Sequence, residues 1–298
     1  MKKFTTLICI AGLFASGSNA HEHGVKPEIT FKTTKVAPQL YMLQGKGGNL
    51  ALSIGKDGGL LIDDDYADIA PTTKKAIKAL SQQPIKFVIN THWHFDHTGG
   101  NDMLGTQGSI IVSHDNVRKR LKTGGEVKAF GVKVEPAPAA ALPIVTFSQD
   151  MTLHWNDQAV YINHPSPSGH TDGDAVVYFK QANVVHTGDL YFAGMYPFID
   201  SSSGGSMAGY IDAVSHIINN IDHNTKVIPG HGGLSNKAQL TEFRDMLANV
   251  YQRVNKMKQQ GLSEKDVVAA KPTAQFDSQW NKGFLKADHW VSLIYHAI

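Results

Sequence analysis

The 298-residue sequence has a single cysteine, almost no net charge and no long apolar run. Each shortage excludes something. Cys9 lies inside the apolar stretch Leu7 to Ala15, which follows Met1-Lys2-Lys3 and precedes Ser18-Asn19-Ala20. Charged, apolar and small-residue parts in that order make a secretory signal peptide, with cleavage expected after Ala20. The stretch is too short to span a bilayer comfortably, and Thr6-Leu7-Ile8 before Cys9 is not lipoprotein-like. Residues 21–298 would then form one exported domain, periplasmic or secreted, with no thiol and no disulfide, stabilised by packing and by metal. The 28 basic residues less Lys2 and Lys3 equal the 26 acidic ones. A mature chain with no net charge offers no footprint for nucleic acid or an anionic membrane.

What the sequence does hold is concentrated in Thr91-His92-Trp93-His94-Phe95-Asp96-His97-Thr98-Gly99-Gly100. Three imidazoles and a carboxylate within six residues suit zinc or a similar borderline metal. The apolar residues Ile85, Phe87, Val88 and Ile89 lead in, so the motif falls at the end of a buried strand. Alternation along an extended segment would point His92, His94 and Asp96 one way before a turn brings His97 round. Trp93 and Phe95 would fill the space behind.

Around the motif the pattern is mixed α/β. Strands are expected at Ile29 to Thr33, Leu40 to Leu43, Leu50 to Ile54 and Leu60 to Asp63, then at Ile85 to Asn90 and Ser109 to Ser113. A second set is expected at Met151 to Trp155, Val160 to His164, Ala175 to Phe179, Asn183 to His186 and Lys226 to Ile228. Helices are expected at Thr72 to Leu80, His114 to Leu121, within Gly204 to Asn220, and at Lys237 to Gln260, with shorter ones at Glu264 to Ala270 and Trp280 to Ala297. Thr123 to Thr146, rich in Gly, Pro and Ala, reads as a long surface loop or lid.

Three later segments also put a metal-capable side chain in a glycine-rich turn beside an apolar run: Ser168-Gly169-His170-Thr171-Asp172, Thr187-Gly188-Asp189-Leu190 and Pro229-Gly230-His231-Gly232. Their order after the first motif resembles the metallo-β-lactamase fold superfamily over essentially the whole mature length. That resemblance implies a four-layer αββα sandwich with two zinc ions at one edge between the sheets. It implies His92, His94 and His170 around one ion, Asp96, His97 and His231 around the other, and Asp189 bridging. Asp96 would orient a metal-bound hydroxide that attacks a carbonyl carbon, so it is the candidate catalytic residue. Asp189 stands where one lactamase subgroup has cysteine, which excludes that subgroup and favours glyoxalase II-like and lactonase branches, whereas the leader favours a lactamase-like role. The first expectation is therefore a β-lactam-type amide, with lactones or thioesters as the alternative. A single-iron oxygenase of the same fold and a non-enzymatic metal-binding protein are further alternatives, and the complete second ligand set argues against the oxygenase.

Other residues carry two readings each. His114, His164 and His186 would either fix ligand tautomers or serve as caps and packing. His154, His216, His223, His289 and His296 have no motif around them and read as surface or packing residues. His21 and His23 belong to a terminal tail. Of Asp63, Asp64 and Asp65, some would accept hydrogen bonds from the site loops and at least one would be solvated. Tyr191 to Asp200 would line a substrate pocket or pack in the core, and Ser201 to Ser206 would be a flexible turn.

Overall fold

The computed structural model describes residues 29–298, so the expected leader, His21 and His23 lie outside the described residues. In chain order the first strands are β1 (Lys32–Ala37), β2 (Leu40–Gln44), β3 (Leu50–Gly55), β4 (Gly58–Ile62), β5 (Ile85–Ile89) and β6 (Ile110–His114). A two-stranded hairpin, β7 (Gly125–Val127) and β8 (Val132–Val134), precedes β9 (Val145–Phe147). The second half contributes β10 (Asp150–Trp155), β11 (Gln158–Asn163), β12 (Val176–Phe179), β13 (Val184–His186), β14 (Lys226–Ile228) and β15 (Ser235–Asn236). These form a seven-stranded sheet ordered β1-β2-β3-β4-β5-β6-β9 and a six-stranded sheet ordered β10-β11-β12-β13-β14-β15.

Two faces of each sheet are apolar, so both must be covered. Between the sheets, Met42, Leu60, Ile62 and Ile89 meet Val160, Ile162, Val177 and Phe179. On the outer face of the first sheet, Leu50, Leu52, Leu61 and Val88 pack under Ile77 of α1 (Ala70–Leu80) and Leu104. Chain order continues with the short α2 (Phe95–Thr98), α3 (Asn101–Thr106), which carries Leu104, and α4 (Asp115–Thr123). The second sheet's outer face is covered by α5 (Met207–Asn219) and α6 (Lys237–Gln259), followed by α7 (Glu264–Ala269), α8 (Asp277–Trp280) and α9 (Ala287–Ala297). Leu240, Phe243, Leu247, Val250 and Val254 recur every three or four residues along α6 and are all buried. Each such side chain contributes roughly 1.5–3 kcal/mol on burial. The result is the four-layer αββα sandwich that the resemblance implied.

The topology gathers the site at one edge. Strands β4 and β5 run parallel, as do β13 and β14, so the loops that leave them emerge on the same side of their sheets. Backbone bonds stitch the two sheets there: Ala175 N donates to Thr91 O at 2.7 Å and Asn49 N to Gly230 O at 2.7 Å. Several expectations need correcting. The first strand begins at Lys32 rather than Ile29, because Ile29 to Phe31 have no strand partner. The stretch Thr123 to Thr146 is no structureless loop: β7, β8, two short 3-10 turns and the start of β9 occupy it. Gly131, in the left-handed region at φ +60°, makes the turn between β7 and β8. The expected helix over Trp280 to Ala297 is two pieces, α8 and α9, interrupted around Gly283.

Candidate metal centre

Strand β5 delivers Asn90 and Thr91, and the chain then bends rather than staying extended. Asp96 and His97 sit in the short helix α2, with His94 at its N-terminal boundary. Helical spacing, not strand alternation, therefore aims Asp96 and His97, and it points Phe95 into the pocket instead of behind the motif. Trp93 is buried as expected, at 2% exposure.

The seven residues singled out from the sequence converge in two groups whose donor atoms lie within 4.8 Å of one another: His92, His94, His170 and Asp189, and Asp96, His97 and His231. Within the first, His94 Nδ1 and His170 Nε2 are 2.9 Å apart. Within the second, His231 Nε2 is 3.3 Å from Asp96 Oδ2 and 3.4 Å from His97 Nε2. Asp189 faces both. Its Oδ2 is 3.7 Å from His92 Nε2 and 3.6 Å from His170 Nε2, and its Oδ1 is 3.1 Å from His97 Nε2 and 3.4 Å from His231 Nε2. His92 Nε2 and Asp189 Oδ1 are buried polar atoms without a hydrogen-bond partner. Such orphans are costly, and a cation between converging lone pairs is the physical remedy. The residues fit two metal ions.

The second nitrogen of four imidazoles is held from behind, which fixes which face is bare. His92 Nδ1 meets Thr91 Oγ1 at 3.0 Å, His94 Nε2 meets Asp200 Oδ2 at 3.0 Å, His97 Nδ1 meets Asp63 Oδ2 at 2.7 Å, and His170 Nδ1 meets Phe198 O at 2.8 Å. Phe192 stacks on His231 at 4.9 Å. The Tyr210 hydroxyl on α5 donates to Asp189 O. Gly230 leaves room for the bridging carboxylate, since a Cβ there would sit 2.0 Å from Asp189 Oδ1.

Electrostatics divide the groups. Burial first, then the charge at His97, holds His92 well below the usual imidazole range, and burial takes His170 down to about 4. Burial would lower His97 and His231 too, but Asp189 leads the carboxylates that raise His97 well above its usual value and His231 to about 9. Burial opposes ionisation of Asp96 and Asp189. His97 and His231 overcome it, taking Asp96 to about 2 and Asp189 well below the carboxylate range.

Several supporting residues were missed or misread in the sequence. Asp63, Asp64 and Asp65 are all fully buried, so none is solvated. Asp63 takes Thr91 N and Thr91 Oγ1, both at 2.7 Å, besides His97. Asp64 accepts from Gly100 N at 2.8 Å, and Asp65 from Lys46 N and Gly47 N at 3.0 and 2.7 Å. Asp174, unremarked in the sequence, accepts from His170 N at 2.7 Å and Thr171 Oγ1 at 2.7 Å, and burial lifts its carboxyl to about 7. The stretch Ser201 to Ser206 is not slack: Ser202 and Ser203 donate to Asp200, and Trp93 Nε1 donates to Ser203 Oγ at 3.0 Å. An acceptor followed at the second and third positions by hydroxyls was the available signal. Burial works against charge on Asp200, yet His94 and these serines hold it well below the usual carboxylate value.

The histidines with two readings also resolve. His114 caps α4 by accepting from Asn116 N at 3.2 Å and stacks on His164 at 4.0 Å, touching no metal-group ring. His186 Nδ1 accepts from Gly188 N at 3.2 Å and its Nε2 lies 2.9 Å from Asn49 O, so it positions the turn that carries Asp189. Tyr191 to Asp200 does both things expected of it: Tyr191 and Tyr196 are core, while Phe192 and Phe198 line a cavity of ≈ 400 Å³ over Asp96, Asp189, His94 and His231.

Comparisons with known proteins agree with this geometry. The model of the metallo-beta-lactamase superfamily matches residues 55–231. A probable metallo-hydrolase of Methanocaldococcus jannaschii is 28% identical over 201 residues, 65% of this chain and 91% of that protein. A hydroxyacylglutathione hydrolase of Pelagibacter ubique is 31% identical over 153 residues, 51% of this chain, and only 53% of that enzyme is covered. Among solved structures, a metallo-beta-lactamase from Pontibacter korlensis aligns with a TM-score of 0.59 at 20% identity, over 74% of this chain and 100% of its own. A stereoselective inverting sec-alkylsulfatase from Pseudomonas sp. gives 0.65 at 19% identity, over 89% of this chain and 50% of its own.

Proposed function

The chain belongs to the metallo-beta-lactamase superfamily and is a metallo-hydrolase; from that premise we propose that it is an exported dinuclear zinc enzyme that hydrolyses small carboxylic acid derivatives, thioesters and lactones first, β-lactam amides second. Asp189 carries the dinuclear reading, because its two oxygens each face a separate set of imidazoles. A donor set of imidazole and carboxylate without thiolate suits zinc. His92, His94 and His170 would hold one ion, Asp96, His97 and His231 the other, and Asp189 both. Ions there would supply Lewis acidity and an acidified water at neutral pH. Export rests on the leader pattern of residues 1–20.

The rest is the work of the chain's own groups. Asp96 is ionised and 16% exposed toward the cavity, so its Oδ2 can orient the attacking water and take its proton. In the reaction the water oxygen bonds to the acyl carbon, the acyl–sulfur, acyl–oxygen or acyl–nitrogen bond breaks, and the leaving atom receives a proton. Among the cavity's lining residues Lys46 is the one lysine or arginine, and it is already paired with Asp68. Such a lining has little to offer a polyanion, whereas an uncharged or monoanionic acyl compound fits it.

Asp189 and the likeness to hydroxyacylglutathione hydrolase put thioesters and lactones ahead of the amide that the leader suggested. The open, aromatic-walled cavity keeps the β-lactam reading second. Zinc-loaded protein should be assayed with an S-acyl glutathione thioester, a γ-lactone and a chromogenic cephalosporin, each beside Asp96→Ala. Turnover that disappears in the variant supports the hydrolase, and the preferred substrate ranks the two readings. A sample with two metals that turns over none of the three overturns the assignment, as would a single-iron protein that consumes oxygen.

A further inference from the structure

Six rings in contact run from one metal group to the other across the cavity mouth. Phe198 lies 5.8 Å from His94, Phe130 lies 4.7 Å from Phe198, Phe284 lies 6.1 Å from Phe130 and 6.4 Å from Phe192, and Phe192 stacks on His231. Two members of this arch are among the most exposed large apolar side chains of the described residues, Phe130 at 41% and Phe284 at 58%. A polar residue would be tolerated at either place at no cost to the core, so aromatic rings there call for an apolar occupant.

Neither ring is there by chance of a slack terminus or loop. Phe130 is presented by the β7–β8 turn, which is tied down where Lys128 N donates to Ser202 Oγ at 3.4 Å, in the same short turn that holds His94 through Asp200. Phe284 comes from the break between α8 and α9, where Gly283 lies so close to Met195 that a Cβ would meet the Met195 Cβ at 2.8 Å. That segment lies beyond residues 55–231, the part of the chain that the family model matches.

We propose that Phe130 and Phe284 form an aromatic rim that determines specificity, selecting carboxylic acid derivatives with an aryl or branched alkyl arm over short-chain ones. This deepens the hydrolase reading and rests on it for the scissile carbonyl. An arm under the arch would be covered on two sides by ring faces and edges, and the cavity of ≈ 400 Å³ has room for one ring beside the reacting group.

The probes are 4-phenylbutanoate and butanoate, titrated calorimetrically into the zinc-loaded full chain. The expected result is on the order of tenfold tighter binding of the phenyl compound, falling to about threefold in Phe130→Ala or Phe284→Ala and to near parity in the double variant. Ile144→Ala, at a comparably exposed apolar residue outside the cavity, should keep the full preference. Gly283→Ala, which displaces Phe284 without removing it, should also lower the ratio and guards against a double variant that folds poorly. A wild-type ratio near one, or an unchanged ratio in the folded double variant, overturns the rim. Because binding is read without turnover, a protein that prefers the phenyl probe yet hydrolyses nothing keeps the rim and loses the hydrolase reading, and a hydrolase with no preference does the reverse.

Discussion

The two metal groups differ in kind although they share Asp189. His92 and His170 are sealed, with exposures of 1% and 0%, and burial keeps them as neutral imidazoles. In the other group Asp96 and His231 reach the cavity at 16% and 18% exposure, and imidazole and carboxylate favour each other's charged forms, His231 being raised and Asp96 lowered. The first is preorganised as lone pairs; the second is preorganised as charges. A metal entering the first displaces little, while one entering the second must expel protons.

The bluntest way to break this comparison is to remove what the groups share. Asp189→Ala should lower metal content below one ion per chain by elemental analysis. Turnover of the preferred substrate should fall by about 10³-fold, the order seen when a major transition-state stabiliser is deleted. Retention of two ions would show that the groups are independent after all.

Acid should then separate them. Between pH 9 and about 5.5, protons on His231 and His97 compete with the second ion, weakening it by roughly tenfold per pH unit for each proton displaced. His170, at about 4, does not compete in that range. Equilibrium dialysis should find one ion lost as pH falls and the other kept. The metal-free chain should respond with the opposite sign. A raised imidazole stabilises the fold fully below its ordinary value of 6.5 and loses that contribution as pH rises through about 9. Denaturant midpoints of the metal-free protein should therefore decline across that window, other groups being equal, and a rise would contradict the charged description.

The rear supports offer a gentler separation. Asp200→Ala frees His94 and should weaken the first ion by about 10–100-fold, whereas Asp63→Asn acts on His97 and should weaken the second by a similar factor. Metal titration of Asp200→Ala should show one altered site, and that of Asp63→Asn the second site altered more than the first, which Asp63 reaches only through Thr91. Equal loss at both sites in both variants would mean that the carboxylates shape the whole edge rather than single rings.

How much of this was open to reading depended on distance along the chain. His92, His94, Asp96 and His97 sit within six residues, and His170, Asp189 and His231 each announce themselves by a glycine-flanked turn. Apolar alternation and the long periodicity of α6 were legible for the same reason: the forces that make them act between near neighbours. Asp63 was legible as an acceptor for the site loops but not as the partner of His97, and Asp200 was not legible at all, because a carboxylate meant for a histidine 34 or 106 positions away looks like any surface aspartate until the sheets are assembled. Phe130 and Phe284 meet only in three dimensions. The Thr123 to Thr146 segment misled because Gly and Pro were read as absence of structure, when Gly131 supplies the left-handed turn of a hairpin.

The smallest expected effect comes from a hydroxyl linked to both groups, to His92 directly and to His97 through Asp63. Thr91 Oγ1 has a single proton and lies 2.7 Å from Asp63 Oδ2, which accepts it, so toward His92 Nδ1, 3.0 Å away, it can only accept. That assignment protonates His92 at Nδ1 and leaves Nε2 as the bare lone pair that faces the first group. Asp63, held by the same hydroxyl, orients His97 in the second. Thr91→Val keeps the shape and removes the hydroxyl, so it should cost about 1–3 kcal/mol of stability by denaturant unfolding, since Asp63 stays buried with one donor fewer. Affinity should fall at both ions together, each by less than tenfold, because the Thr91 amide still binds Asp63 at 2.7 Å. A loss confined to one ion would show that the hydroxyl serves only that side, and that the two groups are coupled through Asp189 alone.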